Sequence, residues 1–169
     1  MKRSKNSPVM TPRERVRGLL KRVASSVAPP PELTVSEWAD SERVLSPESS
    51  SEPGRWSTDR VPYARAIMDA VNDPACHDIV VMSASQIGKT EILNNIIGYF
   101  IDYDPAPMMV MQPTLEMAQT WSKDRLAPML RDTPCLMGKV SDAASRDSSN
   151  TLLQKKSSGG LLATHGANS

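Results

Sequence analysis

The stretch that most constrains this chain is Ser83-Ala84-Ser85-Gln86-Ile87-Gly88-Lys89-Thr90. The apolar run Ile79-Val80-Val81-Met82 precedes it, and apolar residues at helical spacing follow it. Strand, tight loop with Gly-Lys-Thr, then helix is the setting of a phosphate-binding loop. Backbone N–H groups of such a loop point at phosphate oxygens, and the helix N-terminus adds partial positive charge. Ser83, Ala84, Ser85, Gln86, Ile87 and Gly88 are thus the candidate cradle. Lys89 is placed to reach the β/γ-phosphates and to meet transition-state charge, and the Thr90 hydroxyl to ligate Mg²⁺. Ser83 stands where the pattern usually has its first glycine. An ordinary strand-to-helix turn with a surface lysine is the competing reading.

A chain of 169 residues is long enough for one domain with a core. Its net charge of +1 points to no anionic partner, but the distribution is uneven. Residues 1–31 carry eight basic residues against Glu14 alone. Within them, Thr11-Pro12-Arg13-Glu14 reads as a capped helix start, and Val16, Leu19, Leu20 and Val23 recur at helical spacing. A short basic amphipathic helix over 11–23 can pack on its own domain, stay a solvated basic tail, dock on another subunit or touch DNA phosphates. Cys76 and Cys135 lack metal-ligand spacing and fit a reducing compartment. No apolar stretch approaches the ~18 residues of a membrane span, and no apolar segment makes the basic start a secretory signal.

After Ala28-Pro29-Pro30-Pro31, a helix carrying Trp38 is expected, capped by Ser36 and ending before Pro47. A polar surface loop spans 46–54, and a helix runs from Ala64 to Val71. A strand is expected over 78–82, and the helix after the loop carries Ile92, Leu93, Ile96, Ile97, Phe100 and Ile101. Met108-Met109-Val110-Met111 reads as a second strand buried on both faces, and a helix follows from about Leu115. Residues 141–150 read as a polar loop. Thr151–Gln154 and Leu161–His165 read as a hairpin, with Lys155-Lys156 in its turn. The order is that of an α/β nucleotide-binding fold whose sheet is incomplete. Three parts are expected: a basic extension (1–31), a lead-in segment (32–58) and a partial P-loop domain (59–169).

Hydrolysis needs a further acid near the metal and another group to orient water. Asp102 closes the only apolar run downstream of Lys89 that ends in an acid, but it lies about three helical turns from the loop. Met108–Met111 ends in Gln112, and Leu161–His165 runs into Gly-Ala-Asn. The catalytic acid is therefore expected to be absent from these 169 residues. Glu91 is either near the metal's outer shell or simply an acid at a helix start.

Several blocks together resemble the N-terminal part of phage terminase large subunits of the GpA type. They are Leu33–Asp40, Pro53-Gly54-Arg55-Trp56 through Pro62-Tyr63, Met68-Asp69-Ala70, Ser85–Glu91 and Gly166-Ala167-Asn168-Ser169. The resemblance covers about residues 32–169. It implies an additional-strand P-loop ATPase, using ATP and Mg²⁺, that drives DNA packaging, with a C-terminal nuclease beyond this stretch. It makes Gly88, Lys89 and Thr90 the Walker A core and places the segment around Trp56 to Tyr63 beside the adenine, with Tyr63 as a candidate contact. Gln112-Pro113-Thr114 with Ala118 resembles the element that links nucleotide state to DNA. Gly166–Ser169 resembles the block before the acidic Walker B strand. The implied partners are double-stranded DNA, the small terminase subunit, the portal or prohead and further copies in a homo-oligomer, with no membrane. The implied location is the cytoplasm of an infected or lysogenic host.

One departure is that Ser85 and Gln86 stand where many such motors carry an arginine in the loop. Arg125 and Arg131 qualify as substitutes by residue type alone. A helicase-like ATPase and a non-hydrolysing nucleotide-binding or assembly module are the competing functions. With a partial site, this chain is expected to bind ATP weakly or not at all, and to show no turnover.

Overall fold

The computed structural model describes residues 32–140, 153–157 and 160–168. The basic helix expected over 11–23 and the polar loop at 141–150 lie outside them. The described residues from Leu33 onward belong to one compact unit.

Helix α1 spans Val35–Glu42. Its cap is Thr34, not Ser36: the Thr34 hydroxyl accepts from the Glu37 N–H, and the Glu37 carboxylate accepts from the Thr34 N–H at 2.9 Å. Threonine three residues before glutamate is the capping-box pair, and it outcompetes a lone serine further along. Ser36 is buried in the helix and gives both its N–H and its hydroxyl to Asp69, at 2.9 and 2.8 Å. Strands β1 (Val44–Leu45) and β2 (Gly54–Arg55) form a small antiparallel ribbon around the 46–53 loop. Helix α2 (Tyr63–Asp69) continues as a 3₁₀ turn through Ala70–Asn72.

Helix α3 (Lys89–Asp102) is the spine of the core. It buries Ile92, Ile97, Tyr99 and Ile101, as the apolar stripe requires. The Trp38 ring lies so close to Gly98 that a Cβ there would stand 2.4 Å from the ring. Trp38 Nε1 donates to Asp102 Oδ2 at 2.7 Å. Asn72 accepts from the Val35 N–H and donates to the Tyr99 hydroxyl, at 2.9 and 3.1 Å, tying α1, α2 and α3 together.

Strand β3 (Met108–Gln112) leads through a turn to helix α4 (Leu115–Trp121), capped by Thr114. A π turn at Ser122–Leu126 passes into helix α5 (Ala127–Asp132). Strands β4 (Gln154–Ser157) and β5 (Gly160–Gly166) pair antiparallel, and β5 pairs parallel with β3 in the order β3-β5-β4. The second strand contains the expected Leu161–His165, whereas the first spans Gln154–Ser157 in place of the expected Thr151–Gln154. Lys155 and Lys156 stand in β4 rather than in the turn, and Lys155 is buried. The cause is register: with Lys155 opposite Leu162 and Lys156 opposite Leu161, the pairing puts Leu162 on the covered face.

Two further expectations fail. Residues 78–82 form no strand, and Val80 and Met82 are 91 and 98% exposed. An apolar strand of a parallel sheet needs hydrogen-bonded neighbours and cover on both faces. Among the described residues, no strand pairs with this run. Strand β3 is also covered on one face only. Val110 is buried with Leu162 and Thr164 beside it, while Met109 and Met111 on the opposite face are exposed. The described fold is thus mixed α/β, with a three-stranded sheet and a two-stranded ribbon.

Candidate functional site

The loop expected to hold phosphate bends at two positions. Gln86 and Gly88 both have positive φ, 61° and 85°. Gly88 suits this geometry, whereas Gln86 adopts it against its intrinsic preference. Gly88 is the N-cap of α3 and has no side chain to cap with. The first-turn N–H groups of Lys89 and Thr90 therefore meet no capping side chain, which leaves a helix end suited to an anion. The Ser83 hydroxyl is buried and has no hydrogen-bond partner. Lys89 Nζ folds back onto the Ala84 carbonyl at 2.8 Å. The donor set, the orphaned hydroxyl and the uncapped helix fit a nucleotide's phosphates. Thr90 is exposed at the same helix start, where its hydroxyl can reach a Mg²⁺ held by those phosphates.

Tyr63 joins the loop directly, its hydroxyl donating to the Ile87 carbonyl at 2.7 Å. Gln86, Ile87, Gly88 and Tyr63 line a cleft of about 370 Å³, together with Trp56 and Ile92. Trp56 is 8% exposed and held by Nε1–H donation to the Thr58 hydroxyl at 3.0 Å. An aromatic and aliphatic wall beside a phosphate cradle suits a base and a sugar. A larger cleft of about 830 Å³ is lined by Thr90, Gln112, Glu116, Trp121, Asp124 and Arg125 among others. Only Thr90 of the loop lines it, whereas Gln86, Ile87 and Gly88 line the smaller cleft beside Trp56 and Tyr63, so the smaller cleft is the better candidate nucleoside site.

A buried ion pair braces the loop from behind, and sequence reasoning missed it. Arg43, 1% exposed, donates through Nη2 to Glu91 Oε2 at 2.8 Å. It also donates through Nη1 to the Val44 carbonyl and, at 3.3 Å, to the Thr133 hydroxyl. Burial pulls the guanidinium's pKa down, and the charge and hydrogen bond of Glu91 pull it back. Arginine's intrinsic basicity keeps it charged. No local pattern announces this pair, because its members are 48 residues apart.

Other candidates fall away from the loop. Asp102 sits at the far end of α3, bonded to Trp38 and Lys139. Arg125 reaches the Ser49 carbonyl, and Arg131 is paired with Asp132 and Glu48 at the surface. Arg131 holds the Asp132 carboxyl down at about 2, with the Ser46 hydroxyl assisting. His77 and His165 are exposed, and no metal-holding group of His, Cys, Asp or Glu occurs among the described residues. Trp121 packs inward as its helical phase requires, with its Nε1 unpartnered. Among the described residues, no helix is long and apolar enough to cross a membrane.

Comparison with known proteins gives the family. The family model described as "Phage terminase large subunit gpA, ATPase domain" matches residues 50–169. The chain is 29% identical over 146 residues to the terminase large subunit of Escherichia phage lambda, covering 86% of this chain and 22% of that protein. It is also 29% identical over 137 residues to the terminase large subunit of Enterobacteria phage P21, covering 81% of this chain and 21% of that protein. The chain thus spans about a fifth of the length of these curated relatives. No solved structure matches it. Since the family model covers residues 50–169, well over half of the chain, the chain belongs to the family of phage terminase large subunits of the gpA type, within their ATPase domain.

Proposed function

We propose that this chain carries the nucleotide-binding half of the ATPase that drives DNA packaging, a P-loop site for Mg·ATP of the additional-strand type. The observation that carries the reading is the state of Lys89. Its ammonium rests on a carbonyl of its own loop, beside an uncapped helix start. Exchange of that one hydrogen bond would place it on a β/γ-phosphate. The bound nucleotide supplies the phosphoanhydride and the Mg²⁺. The residues of Ser83–Thr90 hold and orient it: backbone N–H groups and Lys89 take the phosphates, and Thr90 takes the metal. Tyr63 and Trp56 form the wall for the base, and Tyr63 couples that wall to the loop through Ile87.

The role proposed for these residues is to hold the nucleotide. Among the described residues, β3 ends in Gln112 and β5 in Gly166, so neither strand end offers a carboxylate to the loop. The expected behaviour is weak Mg·ATP binding without steady turnover. Gln112 and Thr90 line the same larger cleft, which supports a link from nucleotide state to DNA. In the longer proteins of this family that link would act on double-stranded DNA, with the small terminase subunit, the portal or prohead and further copies as partners, in the host cytoplasm.

Titration of the ¹⁵N-labelled chain with Mg·ATP tests the reading. Resonances of 83–90, Tyr63 and Trp56 should shift, and Lys89→Ala should weaken binding by about tenfold or more. Phosphate release should stay at background. Unchanged affinity in Lys89→Ala would remove the proposed site, and turnover lost in that variant would remove the claim that the chain only binds.

A further inference from the structure

We infer that Arg43 is a positioning residue for nucleotide binding: it neutralises the Glu91 carboxylate and holds it off the phosphates. The inference rests on the nucleotide reading of Ser83–Thr90 and deepens it. Glu91 immediately follows Thr90, in the first turn of α3. Its carboxylate is 17% exposed and lines the same cleft as Gln86, Ile87 and Gly88. An acid there opposes the phosphate charge that the loop must attract. Arg43 comes from outside the loop and its helix, where it closes α1 and donates its own N–H to the Ala39 carbonyl at 3.0 Å. Its guanidinium is aimed by Val44 and Thr133, leaving Nη2 for Glu91. Arg43 Nε is buried and unpartnered, so the group is not arranged for maximal hydrogen bonding of its own. Its fixed direction serves the carboxylate. Thr133, at the end of α5, and β1 thereby set the electrostatic state of the phosphate loop.

A structural role and this role predict opposite signs in one variant. Glu91→Gln leaves Arg43 buried without a counter-ion, so the apo melting temperature should fall. The same change removes negative charge from the cleft, so Mg·ATP should bind about threefold tighter or better. Arg43→Met should weaken binding by about tenfold or more, because the carboxylate is freed. The double variant Arg43→Met/Glu91→Gln should recover to within about threefold of the native affinity. Should Arg43→Met fail to fold, Glu91→Gln carries the test. ¹⁵N titration with Mg·ATP and apo thermal melts by circular dichroism read both quantities. Affinity falling in step with melting temperature in Glu91→Gln would overturn the inference, as would a double variant that binds no tighter than Arg43→Met. Lys89→Ala, run alongside, separates the two claims. If native binding does not depend on Lys89, the nucleotide reading fails first and takes this one with it. If it does, a failure belongs to Arg43 alone.

Discussion

Gly98 shows how a single side-chain position decides the fit of two elements. The Trp38 ring lies where a Cβ would stand, at 2.4 Å, and the indole N–H is tied to Asp102 further along α3. Alanine normally stabilises a helix interior relative to glycine by up to ~1 kcal/mol. Here the methyl would push against a buried ring that is 1% exposed and cannot swing away without losing its hydrogen bond. Overpacking of this kind costs about 1–3 kcal/mol, so Gly98→Ala should lower stability despite the better propensity. Denaturant unfolding checks it, and a rise in the midpoint would contradict the packing argument. Arg43 is the opposite case, a polar residue whose partners lie far along the chain at Glu91 and Thr133. Breaking a buried pair of this sort typically costs ~3–5 kcal/mol, which is why its functional test relies on a sign and not on loss alone.

Among the elements, the segment leading into the phosphate loop departs most from its sequence pattern. Ile79-Val80-Val81-Met82 has the composition of a buried strand, yet all four residues are exposed. Helix α3, directly after the loop, is buried along one face and hydrogen-bonded throughout. The loop is thus rigid on its C-terminal side and free of a ladder on its N-terminal side. Amides without ladder partners exchange through local opening that costs almost nothing. Hydrogen exchange should therefore be fast at 79–82 and slow at 92–101, with Mg·ATP slowing 85–90 more than 79–82. Protection at 79–82 equal to that of α3 would mean that this run is paired after all. A loop without a ladder on that side should bind Mg·ATP weakly, because ordering it draws on the binding free energy.

For the whole molecule, α1 and the β1–β2 ribbon pack on α3 and α5, so the lead-in residues belong to the core of the described unit. Cys135 lies in that packing, beside the core cluster. Burial, with Asp102 nearby, pushes its thiol up to about 12. An unfolded chain loses this proton near the ordinary value of ~8.5, so the folded form binds more protons above that pH. Stability should hold below about pH 8.5 and fall as pH rises toward 12, and Cys135→Ser should flatten that decline. Thermal melts from pH 7 to 11 read the slope, and an unchanged slope in the variant would remove the thiol as its cause.

The sequence by itself determined what depends on neighbours a few residues apart. Helices α2, α3 and α4 follow from apolar spacing and caps, and β3 from a short apolar run between prolines. The positions of Lys89 and Thr90 at a helix start follow from Gly-Lys-Thr. Ser36 has a cap's side chain but lies inside the helix, and the pair that forms the capping box is Thr34 and Glu37. The tertiary structure alone decided what depends on distant partners. It left 78–82 without a ladder, set the first hairpin strand so that Lys155 faces inward, and brought Arg43 to Glu91. Strand pairing and buried ion pairs are settled by which groups meet after folding, and spacing along a chain carries no record of that.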